Sequence, residues 1–313
     1  MIRVLIYRLC NFLTRLIPQS VLRRILRGLY HQPDLATRAG YTVFPLVFYS
    51  PFANPAEVDE ARLKLKRPLP GVDINIPAAT ALLQELVPFA PEADQFLKAR
   101  PGELKHWTAT YAAVDSAVLY AMLRHLKPRR YIEVGCGYSS RASSAALRRN
   151  KAEGRPCEAL FIEPHPPKHL SIPDLPGEFI PQKIQQVPLE RFQKLESGDV
   201  LFIDTSHVIK VQNDVEFELL RVLPSLKPGV CVHIHDIFTP YDYPPEWLIG
   251  DGTNLGANNE QYALECLLSG GRQWEVILPL FLLWKDHRPL VNPIVNSDER
   301  PGAFWIRKSS SPG

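Results

Sequence analysis

Apolar residues return every three or four positions at the start of the chain: Leu5, Leu9, Phe12 and Leu16 share one face of residues 2 to 17. After the break at Pro18 the same habit resumes with Val21, Leu22, Ile25 and Leu29. This periodicity predicts two amphipathic helices, the second with Ser20 as its N-cap. Prolines at 45, 51, 55, 68, 70 and 77 then punctuate a stretch from Pro33 to Pro77 that reads as mostly irregular. Residues 79 to 99 read as helix through Leu82, Leu83, Leu86 and Phe89.

From Asp115 the period alternates between helix and strand. Asp115 is placed to cap a helix running to about Leu126, which Lys127-Pro128 stops. Strands are predicted at 131 to 134, 159 to 162, 179 to 185, 199 to 204, 229 to 235, 274 to 278 and 303 to 306. Helices are predicted at 140 to 149, 211 to 224 and 258 to 268. Short apolar strands alternating with helices make an α/β fold whose doubly wound, mostly parallel sheet is covered on both faces.

Composition adds little until it is resolved by position. The 313 residues carry a net charge of +3, but residues 1 to 33 hold six arginines and no Lys, Asp or Glu. Without them, 30 basic residues face 33 acidic ones, so the body is slightly acidic and unsuited to gripping a polyanion. Nucleic acid is therefore not an expected partner. Proline, at 30 residues, is about twice its usual share of roughly 5%. The five cysteines form no C-x-x-C pair, which fits reduced thiols and a cytoplasmic protein. No apolar run approaches the roughly 18 residues of a membrane span, and Arg3 and Arg8 interrupt any signal-peptide core.

The chemistry concentrates at Glu133-Val134-Gly135-Cys136-Gly137-Tyr138-Ser139-Ser140, a strand-to-helix turn. Gly135 and Gly137 let backbone approach a ligand, and the helix beginning at Ser139 and Ser140 offers unpaired N–H groups to an anion. Glu133 at the strand end would repel a dinucleotide pyrophosphate, yet it suits an amino-acid ammonium. That is the charge pattern of the methionine half of S-adenosylmethionine. Glu163 ends the next strand, where a carboxylate can accept hydrogen bonds from ribose hydroxyls.

With these residues the sequence resembles the class I S-adenosylmethionine-dependent methyltransferases, and more narrowly the bacterial methyltransferase-24 branch. The matching stretches also include Ile162 to Pro166, Asp199 to His207, Val232 to Phe238 and Asn259 to Tyr262. The resemblance implies a Rossmann-like seven-stranded sheet with an N-terminal helical, Pro-rich extension. It divides the chain into residues 1–32, 33–110 (a substrate lid or assembly region), 111–308 (the methyltransferase domain) and a tail, 309–313. It also implies that Glu133, Gly135 and Gly137 hold the methionine part and Glu163 the ribose. Gln186, where relatives often carry an acid, falls near the adenine edge.

On the reaction side, Asp204 ends one strand with His207 just beyond it, and the next ends His233-Ile234-His235-Asp236. His233 reads as a hydrogen-bonded core histidine. Methyl transfer from a sulfonium needs an aligned nucleophile and removal of its proton, so His207 or His235 is a candidate base. Alternatively Asp204, His235 and Asp236 hold a divalent ion, although a histidine among hard oxygen ligands disfavours magnesium. The expected acceptor is a small-molecule hydroxyl. A nicotinamide-dependent Rossmann oxidoreductase and a non-catalytic cofactor-binding scaffold are the competing readings. Residues 1–30 are suited either to docking on the body or to peripheral contact with a membrane, at its inner face; self-association is left open.

Overall fold

The computed structural model describes residues 16–98, 111–249, 257–270 and 273–310. The chain forms two compact units: residues 1–58 with 248–257, and residues 59–247 with 258–313. The predicted helix over 2 to 17 and residues 99 to 110 of the proposed lid lie outside the described residues, apart from its last two positions.

The first unit contains helix α1, Gln19–His31, and the short helix Pro33–Arg38. Helix α1 starts at once after Pro18, whose carbonyl accepts the N–H groups of Val21 and Leu22. Ser20 is therefore inside the helix, and no side chain caps it. The expected N-cap is displaced because proline presets the entry angle and its own carbonyl does the capping.

The second unit holds a seven-stranded sheet: β1 Arg130–Val134, β2 Glu158–Ile162, β3 Glu178–Ile180, β4 Val200–Ile203, β5 Cys231–Ile234, β6 Trp274–Pro279 and β7 Phe304–Lys308. Their order is β3-β2-β1-β4-β5-β7-β6, parallel except for β7, which runs antiparallel to β5 and β6. Strand alternation sends Tyr131, Phe161, Phe202 and Trp305 into one apolar layer and Ile132, Leu160, Leu201 and Ile306 into the other. The first layer is closed by helices α2 (Ile76–Leu86), α3 (Ala90–Lys98) and α4 (Ala113–Leu126), together with α5 (Ser139–Ala152). Phe202, fully buried between β1 and β5, illustrates the scale: truncation to alanine should cost about 3–5 kcal/mol.

Three elements differ from expectation for local reasons. Strand β3 stops at Ile180 because Pro181 cannot continue a ladder, and the chain turns into a 3-10 segment over Ile184–Gln186. The helix expected at 211 to 224 starts at Asp214, where Asn213 accepts the N–H of Glu216, and it widens to a π turn over Glu218–Val222 before Pro224. A proline there has no N–H to return to the preceding turn, so the ladder loosens ahead of it. Asp115 does not cap α4. It sits inside the first turn, 1% exposed, with its carboxylate turned inward.

Candidate active site

The turn between β1 and α5 is built around a buried carboxylate. Glu133 is fully buried and accepts four hydroxyl hydrogen bonds: from Tyr131 at 2.7 Å, Ser139 at 2.9 Å, Ser140 at 2.6 Å and Ser143 at 2.7 Å. Burial outweighs these bonds and raises its pKa. Ser140 also accepts the Gly137 N–H at 3.1 Å. Glu133, Ser139 and Ser140 thus fasten the turn from within, and they do not line the cleft that opens beside it. Gly135 takes φ +84°, and a Cβ there would lie 1.7 Å from the Asp204 carbonyl oxygen. Only glycine permits that approach of β1 to the end of β4.

The cleft measures about 420 Å³ and follows the carboxyl ends of β1, β2 and β4. Gly135, Glu163 and Asp204 line it, as the sequence suggests, together with Ile184, Gln185 and Asp214. Gln186 does not. It is exposed, and its amide oxygen accepts the Lys183 N–H in the 3-10 turn. The amide facing the cleft is its neighbour Gln185, whose Oε1 is buried and without a hydrogen-bond partner among the described residues. The resemblance points to Gln186, but the 3-10 turn over Ile184–Gln186 ties that amide to Lys183 and leaves Gln185 at the cleft.

Asp204 connects this cleft to a cluster of imidazoles and carboxylates. His207 Nε2 lies 3.2 Å from Asp204 and 3.4 Å from Asp236, while its Nδ1 lies 3.0 Å from Glu260. His235 Nδ1 lies 3.6 Å from Asp204 and 3.4 Å from Asp236, and its Nε2 lies 3.3 Å from Asp115. Burial alone would lower both imidazoles, but the carboxylates outweigh it and hold both well above the ordinary histidine value. Burial would raise Asp204, yet His235 and His207 hold it well below the usual carboxylate range. Asp236 and Glu260 are raised, burial being the largest cause for each.

The backbone is bent to achieve this. His207 and Asp236 occupy the left-handed region, at φ +56° and +58°. Such conformations in non-glycine residues cost on the order of 1–3 kcal/mol and persist where surrounding contacts over-determine them. Here the His207 carbonyl accepts the N–H groups of Asn259 and Glu260, at the start of helix α6, Glu260–Ser269. Asp236 packs against Gly302, where a Cβ would stand 2.9 Å from its carboxylate.

Asp115 and Glu260 are members of the cluster that sequence reasoning missed. Asp115 also accepts the N–H groups of Gly302 and Ala303 at 3.0 Å, which locks the chain entering β7 onto α4. Its signal was an acid within an apolar helical run, Ala113 to Val118. His233 is in the core, as expected, but neither ring nitrogen has a hydrogen-bond partner among the described residues. It stacks on Phe202 at 4.3 Å and meets Trp305 edge-on at 4.9 Å, and burial keeps it neutral.

The expected metal set does not fit. His235 Nδ1 faces both Asp204 and Asp236, so a proton on that nitrogen ties the two acids together. Among the described residues no group of three or more His, Cys, Asp or Glu side chains is arranged to hold a metal ion. Of the expected cofactor residues, Gly135, Glu163 and Asp204 line the cleft, whereas Glu133, Gly137, Ser139, Ser140 and Gln186 do not. Glu163 supplies a carboxylate there, and Gln185 presents a buried acceptor without a hydrogen-bond partner among the described residues.

The family model for a methyltransferase domain, of the methyltransferase-24 type, matches residues 132–237, from β1 through the end of β5. The chain carries a class I methyltransferase domain. Within that domain lie the glycine turn, the cleft and all four of Asp204, His207, His235 and Asp236; Asp115 and Glu260 are supplied from outside it. No curated protein matches the chain. Among solved structures, cmcI-N160 with SAH shares 16% identity over 42% of this chain, with a TM-score of 0.27, and this chain covers 63% of it, under two thirds. A Thermobifida fusca YX protein provisionally assigned as a methyltransferase shares 13% identity over 79% of this chain and 97% of its own, with a TM-score of 0.42. An O-methyltransferase from Bacillus cereus in complex with SAH shares 13% over 74% and 91%, at 0.34. Overlays at these scores assign neither substrate nor mechanism to the methyltransferase domain.

Proposed function

We propose that the protein is an S-adenosylmethionine-dependent methyltransferase that methylates a hydroxyl of a small molecule, with His207 as general base. The observation that carries this reading is Asp204, which lines the cleft and whose Oδ1 reaches both imidazoles. Gly135, Glu163 and Gln185 would hold the cofactor, Glu163 at the ribose and Gln185 Oε1 at an adenine amino group. Glu133 serves it indirectly, by fixing Ser139 and Ser140 at the start of α5. When bound, the sulfonium supplies a methyl carbon already activated toward displacement, and its positive charge suits a cleft that ends in carboxylates.

The chain's own work is to remove the acceptor proton. Neutral His207 keeps its Nδ1–H on Glu260 and turns Nε2 toward the space between Asp204 and Asp236. An acceptor hydroxyl placed there gives its proton to Nε2, and the three carboxylates stabilise the imidazolium that forms. His235, tied to Asp115, holds Asp204 and Asp236 apart and oriented. No step needs a metal.

The test is radiolabelled methyl transfer from S-adenosylmethionine to a panel of hydroxylated small molecules, in chelator and in added magnesium. Expected are a methyl ether product, rates equal within twofold in both media, and loss of product in His207→Ala while S-adenosylhomocysteine still binds. Failure to bind S-adenosylhomocysteine would overturn the reading, and restoration of the rate only by a divalent ion would overturn the base.

A further inference from the structure

We infer that helix α1 and residues 41–49 of the first unit form a docking element for an anionic membrane surface, a role separate from the chemistry of the cleft. Helix α1 divides cleanly around its axis. Val21, Leu22, Ile25, Leu26, Leu29 and Tyr30 fall on one half, and Arg23, Arg24, Arg27 and His31 on the other, with no acidic residue in the helix. None of its residues is buried, and four of its aliphatic side chains, Val21, Leu22, Ile25 and Leu26, are exposed. An apolar half opposite a purely basic half is the arrangement of a helix that lies in the plane of a bilayer interface.

A second observation in the same unit points the same way. Residues 41 to 49 read Tyr-Thr-Val-Phe-Pro-Leu-Val-Phe-Tyr and carry no charge. Phe48 is 94% exposed and Tyr49 88%, and Tyr41, Phe44, Leu46 and Val47 are also exposed. Single exposed apolar residues are ordinary, but six within nine positions make a patch that water disfavours. Aromatic rings of this kind settle at the depth of lipid headgroups, with an apolar body inward and a hydroxyl outward for tyrosine. The arginines would supply attraction to acidic headgroups, and the apolar residues would supply insertion. A polyanion such as nucleic acid matches the arginines alone and leaves the apolar half and the 41 to 49 segment without purpose. Among the described residues no helix is long and apolar enough to cross a membrane, so the contact is with the surface.

The experiment is co-sedimentation of the full chain with phosphatidylglycerol vesicles and, separately, phosphatidylcholine vesicles across a salt series. Expected is binding to phosphatidylglycerol that weakens with salt, and little binding to phosphatidylcholine. The combined variant Arg23→Gln, Arg24→Gln, Arg27→Gln should lower the partition coefficient about a hundredfold, since each basic residue near an acidic surface contributes roughly fivefold. Phe48→Ser with Tyr49→Ser should lower it about tenfold, and the melting temperature should stay unchanged in both. The inference is overturned by salt-independent binding, by equal binding to both lipids, or by no binding at all. It is equally overturned if duplex DNA displaces the vesicles, or if the wild type is a dimer in sedimentation velocity that Ile25→Glu dissociates, since the face would then serve a second copy.

Discussion

His207 has the left-handed backbone, the three carboxylate neighbours and the position beside the cleft, so in the proposed reaction the rate turns on its proton. A base must be neutral to act, and its neighbours hold this imidazole well above its ordinary value of about 6.5. The rate should therefore climb with pH through and beyond neutrality. In Glu260→Gln one of the three charges is gone, so the rising limb of kcat/KM should move to lower pH, which a pH-rate profile of the two proteins would show. A limb that stays in place would remove Glu260 from the mechanism. His207→Ala should lower kcat by about 10²- to 10⁴-fold, with S-adenosylhomocysteine affinity held within a few-fold by calorimetry. Gly135→Ala faces both the +84° φ and the collision with the Asp204 carbonyl, and it should cost at least about 2 kcal/mol in a urea titration while weakening cofactor binding. Asp204, His207, His235 and Asp236 were legible as strand-end residues. Asp115 and Glu260 were not, because a single sequence does not show that α4 and α6 turn these acids toward the sheet.

The elements explain which residues reach the site and which fall short. Where apolar runs are bounded by Pro or Gly, the sequence places strands to within a residue or two, as for β1, β2 and β4. Pro181 ends β3 at Ile180, and in the turn that follows Gln185 lines the cleft while Gln186, the residue the resemblance implied, does not. Gln185→Ala should accordingly weaken S-adenosylhomocysteine binding, and Gln186→Ala should leave it unchanged; the reverse order would restore the original assignment. The loop after β5 is held by a strap near residue 67. Arg67 donates to Glu265 at 2.7 Å, pairs with Asp242 at 3.0 Å and gives its backbone N–H to Pro240. Breaking a largely buried pair of this kind leaves Glu265 uncompensated, so Arg67→Ala should cost roughly 2–4 kcal/mol in denaturant midpoints.

Across the whole second unit, the buried acids and imidazoles set its response to pH. Burial raises Glu133, Asp236 and Glu260, and burial with Glu260 and Asp214 raises Glu218 strongly. His207 and His235 are raised by their carboxylates in spite of burial. All six groups bind protons more tightly when folded. Their contribution to stability is complete below the unfolded values, about 4 for Asp236, about 4.5 for the glutamates and about 6.5 for the imidazoles, and fades as pH rises through the folded ones. Asp204 has the opposite sign: its contribution is present above the ordinary carboxylate value and is lost as pH falls. The urea midpoint should therefore decline from pH 6 to pH 9, and Glu218→Gln should flatten that decline. The sheet could be anticipated because its strands are local runs; the balance of these charges could not, since it depends on six groups from five segments that only the fold buries. The antiparallel strand β7 adds a consequence in time. It follows every other strand in the chain, and the residues entering it, Gly302 and Ala303, hold Asp115 from the other end of the domain. During biosynthesis every side chain of the cleft and of the acid cluster has been made by Glu260, yet Asp115 gains its two backbone donors only when Gly302 and Ala303 follow. The last strand therefore secures an acid that the chain laid down nearly two hundred residues earlier.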